Sequence, residues 1–298
     1  GEVSALSAYV HKLLIIDSEG EYYNQRERGD SCIPTCFVAD GQPVLPGEAY
    51  FVHTPDGDGP AFYAVTCRTD GVENVEMLWE SNSLAAPVAE KQAEPQPVLQ
   101  YAAPGNNYRT GKFQVVEHWY NLWIAPPLAN LPRQAPLRIA VGLTEQFKAP
   151  GPVVISTGPD VDMFHGVRVP AADTAEVLIG QDIPYGGDLG YNEGLGTLRS
   201  FDECQVQNYS ERYVLAVAAW ALKKWPADPA RVSSQTSLHF GMRHAELFRK
   251  VFSGPYGHDF DMKWNPGSGS LNSRLGPPTA KLPDGTRAWE LYDLTACL

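Results

Sequence analysis

Val206-Gln-Asn-Tyr-Ser-Glu-Arg-Tyr-Val-Leu-Ala-Val-Ala-Ala-Trp-Ala-Leu-Lys-Lys-Trp225, followed by Pro-Ala-Asp-Pro-Ala-Arg-Val232, decides the class of the fold. Tyr213, Val214, Val217, Ala218, Ala221 and Leu222 fall on one stripe at helical spacing, which predicts an amphipathic helix over about 206–225. Asp228-Pro229 turns the chain and 231–240 reads as a returning strand. A second helix is expected over about 242–252, stopped by Gly254-Pro255. Helix, strand, helix in this order belongs to a βαβ unit and hence to an α/β sheet.

Working back along the chain, apolar β-prone stretches predict strands at 113–124, 137–143, 152–156 and 175–180. Before them, 81–108 is rich in Ala, Pro, Gln and Asn, including Ala85-Ala-Pro-Val-Ala-Glu-Lys-Gln-Ala-Glu-Pro-Gln-Pro97, and reads as a linker. Residues 1–80 carry short apolar stretches at 12–16, 36–39, 49–53 and 61–68, separated by Asp-Gly and Pro-Gly turns. That spacing predicts a small β-sandwich. The expected organisation is therefore a β module over 1–80, a linker over 81–108 and an α/β domain over 109–298.

Composition narrows the partners. The 298 residues carry 23 Lys and Arg against 35 Asp and Glu, a net charge of −12. An acidic surface of this kind repels phosphate backbones, so nucleic acid is not the expected ligand. No apolar run approaches the ~18 residues of a membrane span. Cys32-Ile-Pro-Thr-Cys36 has neither redox nor zinc spacing, and a disulfide from Cys32 or Cys36 to Cys67 remains open. That pairing would suit an extracytoplasmic home, periplasmic or secreted. The opening Gly-Glu-Val and the abrupt end at Leu298 suggest a piece of a longer chain.

Trp225-Pro-Ala-Asp-Pro-Ala-Arg-Val232, with a strand, turn and helix behind it, resembles the approach to the nucleophile elbow of bacterial secreted esterases of the α/β-hydrolase fold. Tyr63-Ala-Val-Thr66 with Asp70-Gly-Val-Glu-Asn74 resembles the last hairpin of the fibronectin-type-III-like module that precedes such domains. Tyr191-Asn-Glu-Gly-Leu-Gly-Thr197, Trp264-Asn-Pro266 and Leu275-Gly-Pro-Pro278 are similar to other stretches of that family. The resemblance implies an α/β-hydrolase-like sheet, incomplete at its far end, and a serine nucleophile after the 231–240 strand.

The residues at that place depart from the pattern. Gln235-Thr-Ser-Leu-His-Phe-Gly241 stands where the family has Gly-x-Ser-x-Gly. Ser237 is the candidate nucleophile, although strict alignment on Asp228-Pro229 and Gly241 puts Leu238 there. The order serine, acid, base also fails, since of His239, His244 and His258 only His258 follows an acid, Glu246 on the expected second helix. Acid and base would have to come from further chain.

Gly158 and His165 occupy the loop where the family builds its oxyanion hole; Asp160, Asp162 and His165 could instead ligate a metal, and a solvated loop is the simplest reading. His239 and His244 straddle a turn and do not align as ligands, so neither a metal nor a cofactor is expected. Tyr185, Tyr191 and Asn192, in the Gly-rich stretch 184–196, are candidates for lining a ligand groove.

Three readings stay open. One is an esterase whose acid and base lie elsewhere. Another is a degenerate hydrolase that binds polysaccharide or an ester. The last is an accessory subunit whose open sheet edge a protein partner covers.

Overall fold

The computed structural model describes residues 52–105, 113–129, 136–158, 167–180, 189–195, 197–252 and 274–292. The chain divides into two units, one of which is His53–Glu94. The boundary at Glu94 and Pro95 lies inside the Pro-rich stretch, which carries strands of both units and is not linker throughout. The alternation of Tyr101-Ala-Ala-Pro-Gly105 between half-buried and exposed positions is the signature of an edge strand that the composition masked.

The small unit holds β1 (Gly59–Ala61), β2 (Cys67–Thr69), β3 (Val72–Asn74) and β4 (Val88–Glu90). They pair antiparallel as two separate ribbons, β1 with β4 and β2 with β3. Glu90 ties the first ribbon, accepting from the Tyr63 hydroxyl and pairing with His53 Nε2 at 3.1 Å. Phe62 packs edge-on to Trp79, yet both remain exposed, as do Val65, Val72 and Leu78. The strands expected at 12–16 and 36–39 lie outside the described residues, and the 49–53 stretch nearly so. Cys67 is exposed and its thiol is free among the described residues, whereas Cys32 and Cys36, the partners considered for it, lie outside them.

The large unit is built on one mixed sheet. Its strands are β5 (Val98–Gly105), β6 (Val115–Leu122), β7 (Leu137–Thr144), β8 (Gly151–Gly158), β9 (Ala175–Gly180), β12 (Ala227–Gln235) and β13 (Lys250–Val251). A separate small ribbon, β10 (Tyr191–Asn192) with β11 (Val206–Gln207), lies between β9 and β12 in sequence. The sheet order is β13-β12-β8-β9-β7-β6-β5. β5, β6, β7 and β9 are joined antiparallel, whereas β9, β8, β12 and β13 run parallel. The α/β fold expected from the helix–strand alternation is thus present as a seven-stranded mixed sheet.

Helix α1 (Tyr209–Lys224) covers one face. Its Tyr213, Val214, Val217, Ala218 and Ala221 are buried against Ile139, Ile155, Val177 and Ile179, the stripe read from sequence. It starts three residues later than expected, because Val206 and Gln207 pair with β10. Gly190 permits that ribbon to close. Its φ is +148°, and a Cβ there would stand 1.9 Å from the Gln207 carbonyl oxygen. Alternation along β6 sends Val115, Glu117 and Trp119 to the opposite face, where Val115 and Trp119 cluster with Ala140, Val167 and Val169.

The segment after β12 differs from expectation. The strand is Ala227–Gln235, not 231–240, and helix α2 is Leu238–Arg243, not 242–252. Ser237 caps the helix early, and Arg249 N–H donates to the Val232 carbonyl, which draws the following residues into β13. A capping hydroxyl and a parallel strand outweigh the helical periodicity of Met242-Arg-His-Ala-Glu-Leu-Phe248.

Candidate functional site

In a parallel sheet, ligands bind beyond the carboxyl ends of adjacent strands whose connections leave in opposite directions. β8 and β12 are such a pair: β8 leads to β9 on one side, and β12 leads to β13 on the other. Ser156 stands opposite Gln235, so Gly158 and Ser237, each two residues further, emerge side by side from strands about 4.8 Å apart. Gly180 of β9 is paired with Gly158. Sequence reading and topology therefore bring Ser237 and Gly158 to one place. His165 and Tyr185 lie outside the described residues.

Ser237 is the N-cap of α2. Its hydroxyl accepts from Phe240 N–H at 3.2 Å, and its backbone is extended at φ −69° and ψ 155°. A nucleophile elbow sits on a strained turn that thrusts its hydroxyl out of the sheet. Here the turn is relaxed, and among the described residues the non-glycine positions with positive φ are Asp70 and Glu80, both far away in sequence. Phe240 N–H is the hydrogen-bond partner found for the Ser237 hydroxyl among the described residues. The neighbouring hydroxyls are also occupied: Thr236 Oγ1 lies 2.6 Å from Ser234 Oγ and donates to the Ser237 carbonyl at 3.2 Å. His239 is buried with its ring 5.1 Å from that of Tyr292. Leu238, the other alignment candidate, is the first residue of α2 and has no nucleophilic atom.

The far end of α2 is anchored by a buried ionic cluster that sequence reading did not single out. Glu211, in the first turn of α1, accepts from Arg243 Nη2 at 2.9 Å and Nε at 3.3 Å, and from Asn208 Nδ2 at 3.2 Å. His244 Nε2 lies 2.8 Å from the same carboxylate, and His244 Nδ1 lies 3.2 Å from Glu246. Arg243 Nη1 donates to the Leu291 carbonyl at 2.9 Å, which ties in the 288–292 turn. Burial alone would raise the Glu211 carboxyl; the His244 hydrogen bond, the Arg243 charge and hydrogen bonds, and Asn208 overcome it and hold the group at about 2. The Glu211 hydrogen bond raises the His244 pKa despite burial, and Glu246 adds to it. The helix behind Ser237 is thus clamped by charge. The spacing of Glu211 from Arg243 and His244 hid the cluster, since they stand 32 and 33 positions further along the chain.

Two more carboxylates are buried on the sheet. Glu117, Gly142 and Glu176 lie in register across β6, β7 and β9. Glu117 accepts from Trp119 Nε1 and Val167 N–H, both at 3.2 Å. Glu176 accepts from Ser156 Oγ at 2.7 Å while its second oxygen, Oε2, has no partner among the described residues. Burial raises the Glu176 carboxyl, outweighing the Ser156 and Arg168 hydrogen bonds.

Tyr191 and Asn192 are placed inside the protein. Asn192 is fully buried, donating to the Phe201 and Leu275 carbonyls at 3.2 and 3.3 Å and accepting from Gly194 N–H at 2.8 Å. Tyr191 is buried with its ring 5.5 Å from that of Tyr209. Asn192 therefore fastens the Gly-rich stretch to the 274–292 segment. Among the described residues no three His, Cys, Asp or Glu side chains are grouped to hold a metal ion, and no helix is long and apolar enough to cross a membrane.

No family model and no curated protein matches the chain. Solved structures with similar folds include a CE15 glucuronoyl esterase from Teredinibacter turnerae T7901, at 15% identity and TM-score 0.35, covering 54% of this chain and 45% of that one. A glucuronoyl esterase from Solibacter usitatus matches at 9% identity and TM-score 0.34, over 55% of this chain and 52% of the other. An S-formylglutathione hydrolase from Agrobacterium tumefaciens matches at 16% identity and TM-score 0.37, over 66% and 73%. The chain spans about half the length of the two glucuronoyl esterases it matches. The likenesses are distant, and the sheet order and site described above do not depend on them.

Proposed function

We propose that this chain is an α/β-hydrolase-like module that binds an ester or polysaccharide at the β8/β12 crevice without cleaving it. The observation that carries this reading is the state of Ser237: a relaxed helix cap whose hydroxyl is engaged by Phe240 N–H. An attacking serine needs a base within about 3.2 Å of its hydroxyl and a third group orienting that base. His239 and His244 are engaged with Tyr292 and with Glu211 and Glu246 respectively. The acidic surface and an accessory role beside a protein partner at the sheet edge fit the same reading, in an extracytoplasmic setting.

A second reading is a serine esterase with acid and base supplied by other chain; two of the solved neighbours are named as glucuronoyl esterases. The strand–turn–helix placement of Ser237 beside Gly158 favours it. A fluorophosphonate probe separates the two, since it labels activated serines. The binding module leaves the probe unreacted; stoichiometric labelling that vanishes in Ser237→Ala establishes the esterase instead.

A further inference from the structure

Trp220 and Trp225 at the C-terminal end of α1 and Tyr120 of β6 bring three aromatic rings together at the margin of the core. Tyr120 and Trp220 have centroids 5.0 Å apart at 73°, Tyr120 and Trp225 6.1 Å apart at 76°, and Trp220 and Trp225 5.4 Å apart at 88°. Edge-to-face pairs are ordinary in protein cores. Three rings each nearly perpendicular to the other two are different, because they form the walls of a corner.

That corner holds a cation. Lys224 Nζ lies 4.9 Å from the Tyr120 centroid, 5.5 Å from that of Trp220 and 5.4 Å from that of Trp225. All three distances are inside the ~6 Å over which ring quadrupoles attract a positive charge. Lys224 is exposed, and no carboxylate among the described residues pairs with it. Tyr120 adds no anion, since burial pushes its phenol up to about 12 and the ring stays neutral. The attraction is therefore that of the ring faces.

A primary ammonium is a compact, strongly hydrated charge and gives up water reluctantly. A quaternary ammonium is weakly hydrated, and its methyl groups fill the space between rings, which is why aromatic cages select it. We propose that Tyr120, Trp220 and Trp225 form a binding site for a quaternary ammonium group on a small choline- or betaine-like molecule, with Lys224 as a resident cation that the ligand displaces. Trp225 precedes β12 whereas Ser237 follows it, so this site lies at the other end of that strand from the β8/β12 crevice and stands independently of its chemistry. Occupation by Lys224 weakens the apparent affinity by the fraction of time the corner is filled.

The test uses the full chain, with choline chloride titrated against tryptophan fluorescence at constant ionic strength. Lys224→Ala is expected to bind choline at least about tenfold more tightly than the unaltered protein, because the competitor is gone. 3,3-Dimethyl-1-butanol, which replaces the charged nitrogen by carbon, is expected to give no saturable change with either protein. Trp225→Leu in the Lys224→Ala background is expected to abolish binding; should that double variant unfold by circular dichroism, the choline–isostere comparison decides alone. Equal choline affinity with and without Lys224, equal binding of the neutral isostere, or no choline binding to Lys224→Ala overturns the proposal.

Discussion

Replacing Glu211 by Gln tests the charged clamp behind Ser237. The substitution keeps size and shape but removes the negative charge beneath Arg243 and His244. The three side chains are 10%, 11% and 15% exposed, so solvent screens their interaction little. A carboxyl lowered from 4.5 to about 2 corresponds to about 3 kcal/mol, at 1.36 kcal/mol for each pH unit of displacement. Gln still accepts one hydrogen bond from Arg243, so the expected loss is about 2–3 kcal/mol near pH 6. A group lowered on folding contributes fully above its ordinary value and loses that contribution as pH falls through its folded value. The deficit of Glu211→Gln should therefore narrow below pH 4.5 and close near pH 2. Urea unfolding followed by tryptophan fluorescence at pH 6, 5, 4 and 3 measures this. A loss below about 1 kcal/mol at pH 6, or a deficit that stays constant down the series, would falsify the clamp as the source of this stability.

His244 contributes with the opposite sign, since its pKa is raised on folding: its stabilisation is present below the ordinary 6.5 and is lost as pH rises through the folded value. Thermal midpoints should fall between pH 6 and 9, and His244→Gln should flatten that decline. Glu176 is raised by burial, so its ionisation weighs against the folded state; Glu176→Gln should stabilise the protein at pH 8 and lose the advantage near pH 4. Gly142→Ala places a Cβ 2.8 Å from Val167 Cβ and 3.0 Å from Val169 Cγ2 and should cost about 1–3 kcal/mol in urea unfolding, because two buried branched side chains leave no room.

Patterned residues were legible, and distant contacts were not. The stripe from Tyr213 to Ala221 places α1, and the apolar stretches place β6 to β9 within a few residues. The end of β12 and the extent of α2 depart from the periodicity, because Ser237 as a cap and the backbone bond from Arg249 to Val232 act locally against it. Ser237 and Gly158 were legible as site candidates from the strand–turn–helix pattern and the strand end. The glycines around Asn192 point to a groove lining, yet its amide reaches Leu275, 83 positions away. The Glu211 cluster and the cage of Tyr120 with Trp220 and Trp225 join separated segments, so no window of sequence contains them.

The pairing of β8 with β12 also sets an order of assembly. β5, β6 and β7 form a meander whose strands are neighbours in the chain, and their loops close at small entropic cost. β8 has no such neighbour on its outer side. The strand that covers it, β12, begins at Ala227, well after β8 has ended at Gly158, and everything between must first be synthesised. Until then the outer backbone N–H and C=O groups of β8 form an unpaired edge. A nascent chain of this protein thus carries its exposed, association-prone surface late in synthesis, and release from that hazard arrives with a single segment, Ala227–Gln235.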